Sequence, residues 1–141
     1  MLRLAGRRLY PPPILTIVQT DGSFRQSNGS AAVAARITRV HELVDEAVSP
    51  LHNIASSTEA EWASVYYGIL LAQTNREHSI GLENDCLGVV NSLLYGIHRN
   101  PRPYATFYKC KIMDTASTFD WCGIRWIPRE QNKADRLFRM K

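Results

Sequence analysis

The chain has 141 residues, 45% of them hydrophobic and 21% charged, with a formal net charge of +4. These are the proportions of an ordinary globular protein, and the length suffices for one domain with its own core. No apolar run approaches the ~20 residues that a membrane helix needs, and the modest positive charge fits a phosphate-bearing partner without requiring one.

The first stretch, Met1 to Pro13, carries Arg3, Arg7 and Arg8 but no apolar segment long enough for a secretory signal. It is Arg-rich and acid-free, as mitochondrial presequences are, yet it lacks serine, and Pro11, Pro12 and Pro13 break any helix. Residues 1–13 are therefore expected to be an arm and residues 14–141 the domain. From Ile14 the sequence ILTIVQTDGS is apolar on both parities, which predicts a strand buried on both faces and central in its sheet. The run ends on Asp21 and Gly22, where glycine permits a sharp exit. Asp-Gly alone equally marks a hairpin turn. Held on a stiff strand end, the carboxylate of Asp21 would instead serve as a metal ligand.

Phe24 to Gly29 is turn chemistry. Ser30 to Thr38 and Val40 to Val48 predict two further strands, the second near an edge because it carries His41, Glu42, Asp45 and Glu46. At Ser56 the pattern becomes helical, with Trp62, Val65, Tyr66, Ile69 and Ala72 inward. Ser56 and Glu59 have the spacing of a capping box, which gives Glu59 a structural task. Glu61 lies in line with Val65, Gly68 and Ala72, on the face that meets the sheet, where a glutamate needs a partner. Ser79 to Asp85 is a fourth strand that again ends on an aspartate. Cys86 to His98 (Leu87, Val90, Leu94 and Ile97 inward) and Tyr104 to Phe119 (Tyr104, Phe107, Tyr108, Ile112, Thr115 and Phe119 inward) are helices separated by the loop Arg99 to Pro103. Cys122 to Pro128 is a fifth strand, and Arg129 to Met140 a polar turn leading into a short last helix that holds Asp135. The expected fold is α/β: a five-stranded mixed sheet, three antiparallel strands followed by parallel ones, flanked by helices in the order βββαβααβα. The three cysteines, Cys86, Cys110 and Cys122, show no paired spacing and read as reduced thiols of a cytoplasmic protein.

Four acids stand at element ends or on buried faces: Asp21, Glu61, Asp85 and Asp135. Clustered without cations they would repel one another and raise each other's pKa. A pair of hard divalent ions removes that repulsion, and oxygen-only ligands suit Mg²⁺. Two such ions about 4 Å apart form a device for in-line phosphodiester cleavage. Glu83 shares the parity of Asp85 and is expected in a cross-strand salt bridge. Arg25, Arg102, Arg125 and Arg129 are candidate phosphate contacts.

The stretches TDGS (Thr20 to Ser23), STEAEWASVYYGILLA (Ser57 to Ala72), LENDCLGVVNSL (Leu82 to Leu93) and WIPREQNKADRLF (Trp126 to Phe138) occur in that order on fitting elements. Together they make the chain resemble the ribonuclease H family, in its reverse-transcriptase-like branch. The resemblance implies that Asp21, Glu61, Asp85 and Asp135 are the catalytic acids and bind two Mg²⁺ ions, with Mn²⁺ a possible substitute. It implies hydrolysis of the RNA strand of an RNA–DNA hybrid to 5′-phosphate and 3′-hydroxyl products. One ion, between Asp21 and Asp135, would activate water. The other, on Asp21, Glu61 and Asp85, would face the leaving 3′ oxygen. Gly22, Ser23, Ser57, Thr58 and Arg129 would contact substrate, Ser57 and Thr58 at the ribose 2′-hydroxyl. The protein would be a monomer with no membrane partner.

The chain departs from the family pattern in four places. Trp126 to Lys133 contains no histidine where relatives often have one. Asn132 and Asp135 are three positions apart where four is common, which makes Glu130 the reserve ligand. Cys86 and Leu87 follow Asp85 where many relatives have polar residues. The loop Arg99 to Pro103 is too short for a basic protruding helix. Two other readings stay open: a non-catalytic domain of the same fold that binds nucleic acid or protein, and a nuclease of this fold with another nucleic-acid substrate.

Overall fold

The computed structural model describes residues 2–4 by their backbone, and residues 16–96 and 102–139 in full. The predicted strand start at Ile14 and Leu15, most of the N-terminal arm, the helix end at Ile97 and His98, most of the Arg99 to Pro103 loop, and Met140 lie outside the described residues. The strands are β1 (Leu2–Leu4), β2 (Thr16–Arg25), β3 (Ser30–Arg39), β4 (Glu42–Leu51), β5 (Ser79–Asn84) and β6 (Trp121–Trp126). The helices are α1 (Ser57–Thr74), α2 (Leu87–Tyr95) and α3 (Pro103–Ala116), followed by two 3-10 segments, Arg129–Gln131 and Lys133–Arg139.

The sheet order is β1-β6-β5-β2-β3-β4. β2, β3 and β4 pair antiparallel, while β5 runs parallel to β2 and β6 parallel to β5. This is the expected five-stranded mixed sheet with β4 at one edge. Beyond it, the three residues of β1 add to β6 in parallel. The sequence reading and the structure differ at the end of β2. The strand does not exit at Asp21 and Gly22 but stays paired with β3 as far as Arg25 and Ser30. The turn comes later, at Gln26 to Gly29, where Gly29 has a φ of 70° and donates from its N–H to Arg25 O at 2.8 Å. What does stop at this level is β5: its ladder with β2 ends at Thr20 and Asn84. Asp21 therefore stands just past the parallel half of the sheet, on a strand that continues.

Helix α1 begins as its sequence implies. The Ser56 hydroxyl accepts from the Glu59 N–H at 3.2 Å, and the Glu59 carboxylate reaches back to the Ala55 N–H at 3.0 Å. Trp62, Val65, Ile69 and Ala72 are buried against the sheet, together with Val18, Ile37, Ile80, Leu82 and Ile124. Gly68 lies over Thr20, where a Cβ would meet the Thr20 methyl at 2.3 Å.

In the later helices Val90, Ile112 and Phe119 are buried and Leu94, Tyr104 and Tyr108 pack on the core as expected, but Leu87 and Phe107 are not inward. In α2 the buried residues are Val89, Val90, Ser92 and Leu93, and Leu87 is 49% exposed, because the first turn after Cys86 faces outward. In α3 Ala105, Ile112 and Ala116 are buried while Phe107 lies outside, its ring edge-on to Tyr108 at 5.2 Å. The last segment is a 3-10 helix instead of an α-helix. Its three-residue repeat puts Ala134 and Leu137 on one side, packed with Ala34. Among the described residues no helix is long and apolar enough to cross a membrane.

The Thr20 methyl cannot swing freely, because the Asn84 amide donates to Thr20 Oγ1 at 3.0 Å. Gly68→Ala should therefore destabilise the protein by roughly 1–3 kcal/mol through overpacking, although alanine improves helix propensity by about 1 kcal/mol. Adding Thr20→Ser, which removes that methyl, should restore most of the loss. Urea unfolding of the two variants measures this. A Gly68→Ala protein as stable as the parent would contradict so close an approach.

Candidate metal centre

Three elements deliver three acids to one place. Asp21 comes from β2, Glu61 from the second turn of α1, and Asp85 from the residue after β5. One carboxylate oxygen of each lies within 4.8 Å of the other two. Gly22 makes this possible. A Cβ there would fall 2.4 Å from the carbonyl carbon and oxygen of Ala60 and 2.7 Å from the Glu61 nitrogen. Gly22 is thus not a turn glycine but the point where α1 comes down onto β2. At that contact the Gly22 N–H donates to Glu61 Oε1 at 2.7 Å, which fixes the glutamate. Gly22, a predicted substrate contact, lines the cleft with its N–H bonded to Glu61.

Asp85 is set by two asparagines. Asn84 is fully buried. Its amide donates to Thr20 O and Thr20 Oγ1, and its carbonyl accepts from the Cys86 N–H at 2.8 Å, so the turn that presents Asp85 is locked. Asn132 donates to Asp85 Oδ2 at 3.1 Å and to Thr20 O at 2.8 Å. The second of these bonds also anchors the chain leading to Asp135. Gln19 adds to that anchor, accepting from the Lys133 N–H at 2.9 Å and donating to Gln131 O at 3.2 Å. Asp135 then lies beside Asp21 in the same cleft and pairs with Arg139 at 3.1 Å.

The cleft measures about 480 Å³, and its lining includes all four acids with Gly22, Ser23, Ser57 and Arg129. Thr58 is exposed and does not line it. Glu130, the reserve ligand, is exposed and lines an adjoining groove instead. Of the candidate phosphate contacts, Arg25 and Arg129 open on the cleft. Arg125 pairs with Glu83, which is the expected cross-strand bridge. The sequence reading did not single out Asn84, Asn132 or Arg139 as site residues. Asn84 directly precedes Asp85, and Asn132 lies inside a stretch that was singled out. Their part depends on strand register, which a single sequence does not carry.

Burial and mutual repulsion raise the acids' proton affinity. Asp21 is pushed from an ordinary 3.8 up to about 9, first by burial and then by Glu61 and Asp85. Glu61 rises from 4.5 to about 7 by burial and Asp85, against the lowering pull of the Gly22 N–H. Burial raises Asp85 too, opposed by the Asn132 amide and the Arg129 charge. Carboxylates so placed fit hard divalent cations. The donors are all oxygen, they converge, and a bound cation would offset the repulsion that raises their pKa.

The profile of the family described as reverse transcriptase-like matches residues 19–139. None of the curated proteins compared with the chain matches it. Among solved structures, the chain is similar to RNase H1 from the halophilic archaeon Halobacterium salinarum NRC-1. Identity is 20%, the TM-score is 0.79, and the match covers 89% of this chain and 98% of that one. It is also similar to the N-terminal RNase H domain of a Mycobacterium tuberculosis protein, at 22% identity and a TM-score of 0.78, over 88% and 90% of the two chains. A third similar structure is LC11-RNase H1 in complex with an RNA/DNA hybrid, at 20% identity and a TM-score of 0.76, over 86% and 92%. At these identities the likeness establishes the fold.

The raised pKa values set a pH dependence. Folded Asp21 keeps its proton up to about pH 9, whereas the unfolded chain releases it near 3.8. Between those values the folded state binds more protons, so stability in chelator falls as pH rises. Glu61 adds to the fall up to about 7. Melting temperature in chelator should thus decline from about pH 5, where ordinary carboxylates are already ionised, to about pH 9, and Mg²⁺ should flatten the decline. A melting temperature that rises with pH in chelator would contradict the buried cluster.

Proposed function

The chain belongs to the reverse-transcriptase-like family of ribonuclease H proteins, and from that premise we propose that it is a metal-dependent endonuclease that hydrolyses the RNA strand of RNA–DNA hybrids. The products are a 5′-phosphate and a 3′-hydroxyl. The observation that carries this reading is the convergence of Asp21, Glu61 and Asp85 within 4.8 Å, with Asp135 beside Asp21. That a similar solved structure is of a complex with an RNA/DNA hybrid supports the choice of substrate.

Asp21, Glu61 and Asp85 would hold one divalent ion, and Asp21 with Asp135 a second. Asp21 meets Glu61 and Asp85 and is also hydrogen-bonded to Asp135, which suits it to be shared. Mg²⁺ is the expected ion, with Mn²⁺ a substitute. When bound, such a pair supplies a lowered pKa for attacking water and charge stabilisation at the leaving 3′ oxygen. The protein's own groups do the rest. The Gly22 N–H and the Asn132 amide hold Glu61 and Asp85 in place before substrate arrives. Arg129 and Arg25, on the cleft wall, meet backbone phosphates. Ser57, at the cleft rim and the start of α1, is placed to meet a ribose 2′-hydroxyl, the group that tells RNA from DNA. The free thiols of Cys86, Cys110 and Cys122 fit a cytoplasmic setting, and a monomer is the expected state.

The direct test incubates the protein with labelled RNA–DNA hybrid, duplex RNA, duplex DNA and single strands, in Mg²⁺, Mn²⁺ or chelator. Loss of RNA only from the hybrid, and only with metal, is expected. No cleavage of any substrate would favour a non-catalytic binding domain.

Two sets of variants sharpen the test. Asp85→Asn keeps size, and its new amide oxygen can still accept from Asn132. In chelator it should be as stable as the parent or slightly more so, since one repelling charge is gone. Its stabilisation by Mg²⁺ should shrink, and single-turnover cleavage should fall by at least about two to three orders of magnitude. Near-normal cleavage would remove Asp85 from the site. Glu59→Gln should cost about 1 kcal/mol or less and leave cleavage intact, whereas Glu61→Gln should abolish it. The reverse pattern would mean that the wrong glutamate faces the sheet.

A further inference from the structure

The floor of the cleft is acidic and part of its rim is basic, and Arg139 stands on the boundary. It lines the cleft that contains the four acids, and it also lines an adjoining groove of about 360 Å³ with Arg129 and Arg136. Glu130 lines that groove as well, as do Asn132 and Asp135, so three guanidiniums face one carboxylate beyond the metal centre. Arg139 donates from Nη2 to Asp135 Oδ2 at 3.1 Å. The two partners are unequally covered: the Asp135 side chain is 18% exposed and that of Arg139 is 73% exposed. The guanidinium reaches in from solvent to a carboxylate that is largely covered. An ion pair with one such exposed partner is weak and easily exchanged.

Ionised, the four acids carry four negative charges, which two divalent cations would neutralise. A cation at Asp135 takes over the charge that Arg139 now balances. It also turns a cleft that repels a polyanion into one that accepts it. The released guanidinium then has one basic surface within reach, the groove it already lines. We propose that Arg139 serves two partners in turn. It is the counter-ion of Asp135 while the acids lack a divalent ion. Once displaced, it binds a backbone phosphate of the nucleic-acid strand in the groove, together with Arg129 and Arg136. Metal and strand then strengthen each other's binding through this residue, and the coupling is reciprocal. The inference rests on the nuclease reading, because the anion it names is the strand's phosphate.

Arg136 opens on the groove but not on the acid-lined cleft, which makes it the control. The experiment uses the full chain and the variants Arg139→Gln, Arg139→Lys and Arg136→Gln. Calorimetry measures Mg²⁺ affinity without nucleic acid. Binding of a labelled RNA–DNA hybrid is followed across a salt series in Ca²⁺ and in chelator. Arg139→Gln should bind Mg²⁺ roughly two- to fivefold more tightly, having lost a weak competing pair, while Arg139→Lys keeps the charge and stays near the parent. In Ca²⁺, Arg139→Gln should bind the hybrid about five- to tenfold more weakly, with its salt slope reduced by about one. Its gain in hybrid affinity on adding Ca²⁺ should be smaller than the parent's. Arg136→Gln should lose hybrid affinity with Mg²⁺ affinity unchanged. Unchanged or weaker Mg²⁺ binding by Arg139→Gln would overturn the proposal and leave the nuclease reading standing. Failure of the parent to bind hybrid in Ca²⁺ would overturn both the substrate reading and the phosphate half of the proposal.

Discussion

Strand β5 stops at Asn84, opposite Thr20, while β2 runs on to Arg25. A sheet that loses a strand part-way leaves backbone N–H and C=O groups without ladder partners, and burying such groups unpaired costs about as much as a lost hydrogen bond. Here side chains of the site take them up. Thr20 O accepts from Asn84 and Asn132, and the Gly22 N–H donates to Glu61. The fold's need to satisfy its own backbone thus draws the same residues together that the chemistry requires. The contact allows little variation, because Gly22 leaves no room for a Cβ against Ala60 and Gly68 leaves none against Thr20.

Holding three carboxylates this way works against their charge. Asp21 and Glu61 are both pushed well above the usual carboxylate range. Neutral hydrogen-bond donors, the Gly22 N–H and the Asn132 amide, orient Glu61 and Asp85, while full positive charges stand further out at Arg129 and Arg139. That layering would suit a centre that accepts cations and then a polyanion, as proposed above. A guanidinium at the middle of the cluster would neutralise the acids. On the rim, Arg129 leaves the three-acid cluster free, and among the described residues Arg139 touches only Asp135 of the four acids.

Much of this was legible in the sequence, and for physical reasons. The capping pattern at Ser56 and the helical line from Glu61 to Ala72 are local, so the first helix and its inward glutamate could be read directly, as could the parity that pairs Glu83 across strands. The end of β2 could not. Asp-Gly has the same appearance in a turn as in a strand pressed by a helix, and only the distance from Gly22 to Ala60 decides. The faces of α2 and α3 were misjudged at Leu87 and Phe107, because Leu87 stands in a first turn that faces outward and Phe107 packs edge-on to Tyr108 at the surface, neither of which periodicity reveals. The asparagines escaped notice since a buried amide announces itself only through partners distant in the chain.

Those distances have a consequence for how the site comes into being. Asn132 reaches Thr20 across 112 residues, and Lys133 reaches Gln19 across 114. Residues 21 to 85 already contain the whole three-acid cluster. A ribosome makes those residues first, but a domain folds as a unit, and this core also takes in Ile112, Cys122 and Ile124. The segment that bears Asp135 and clasps Asp85 through Asn132 is made later. The fourth acid and the clasp therefore join the cluster through contacts of high sequence separation, the kind whose loop-closure cost slows folding.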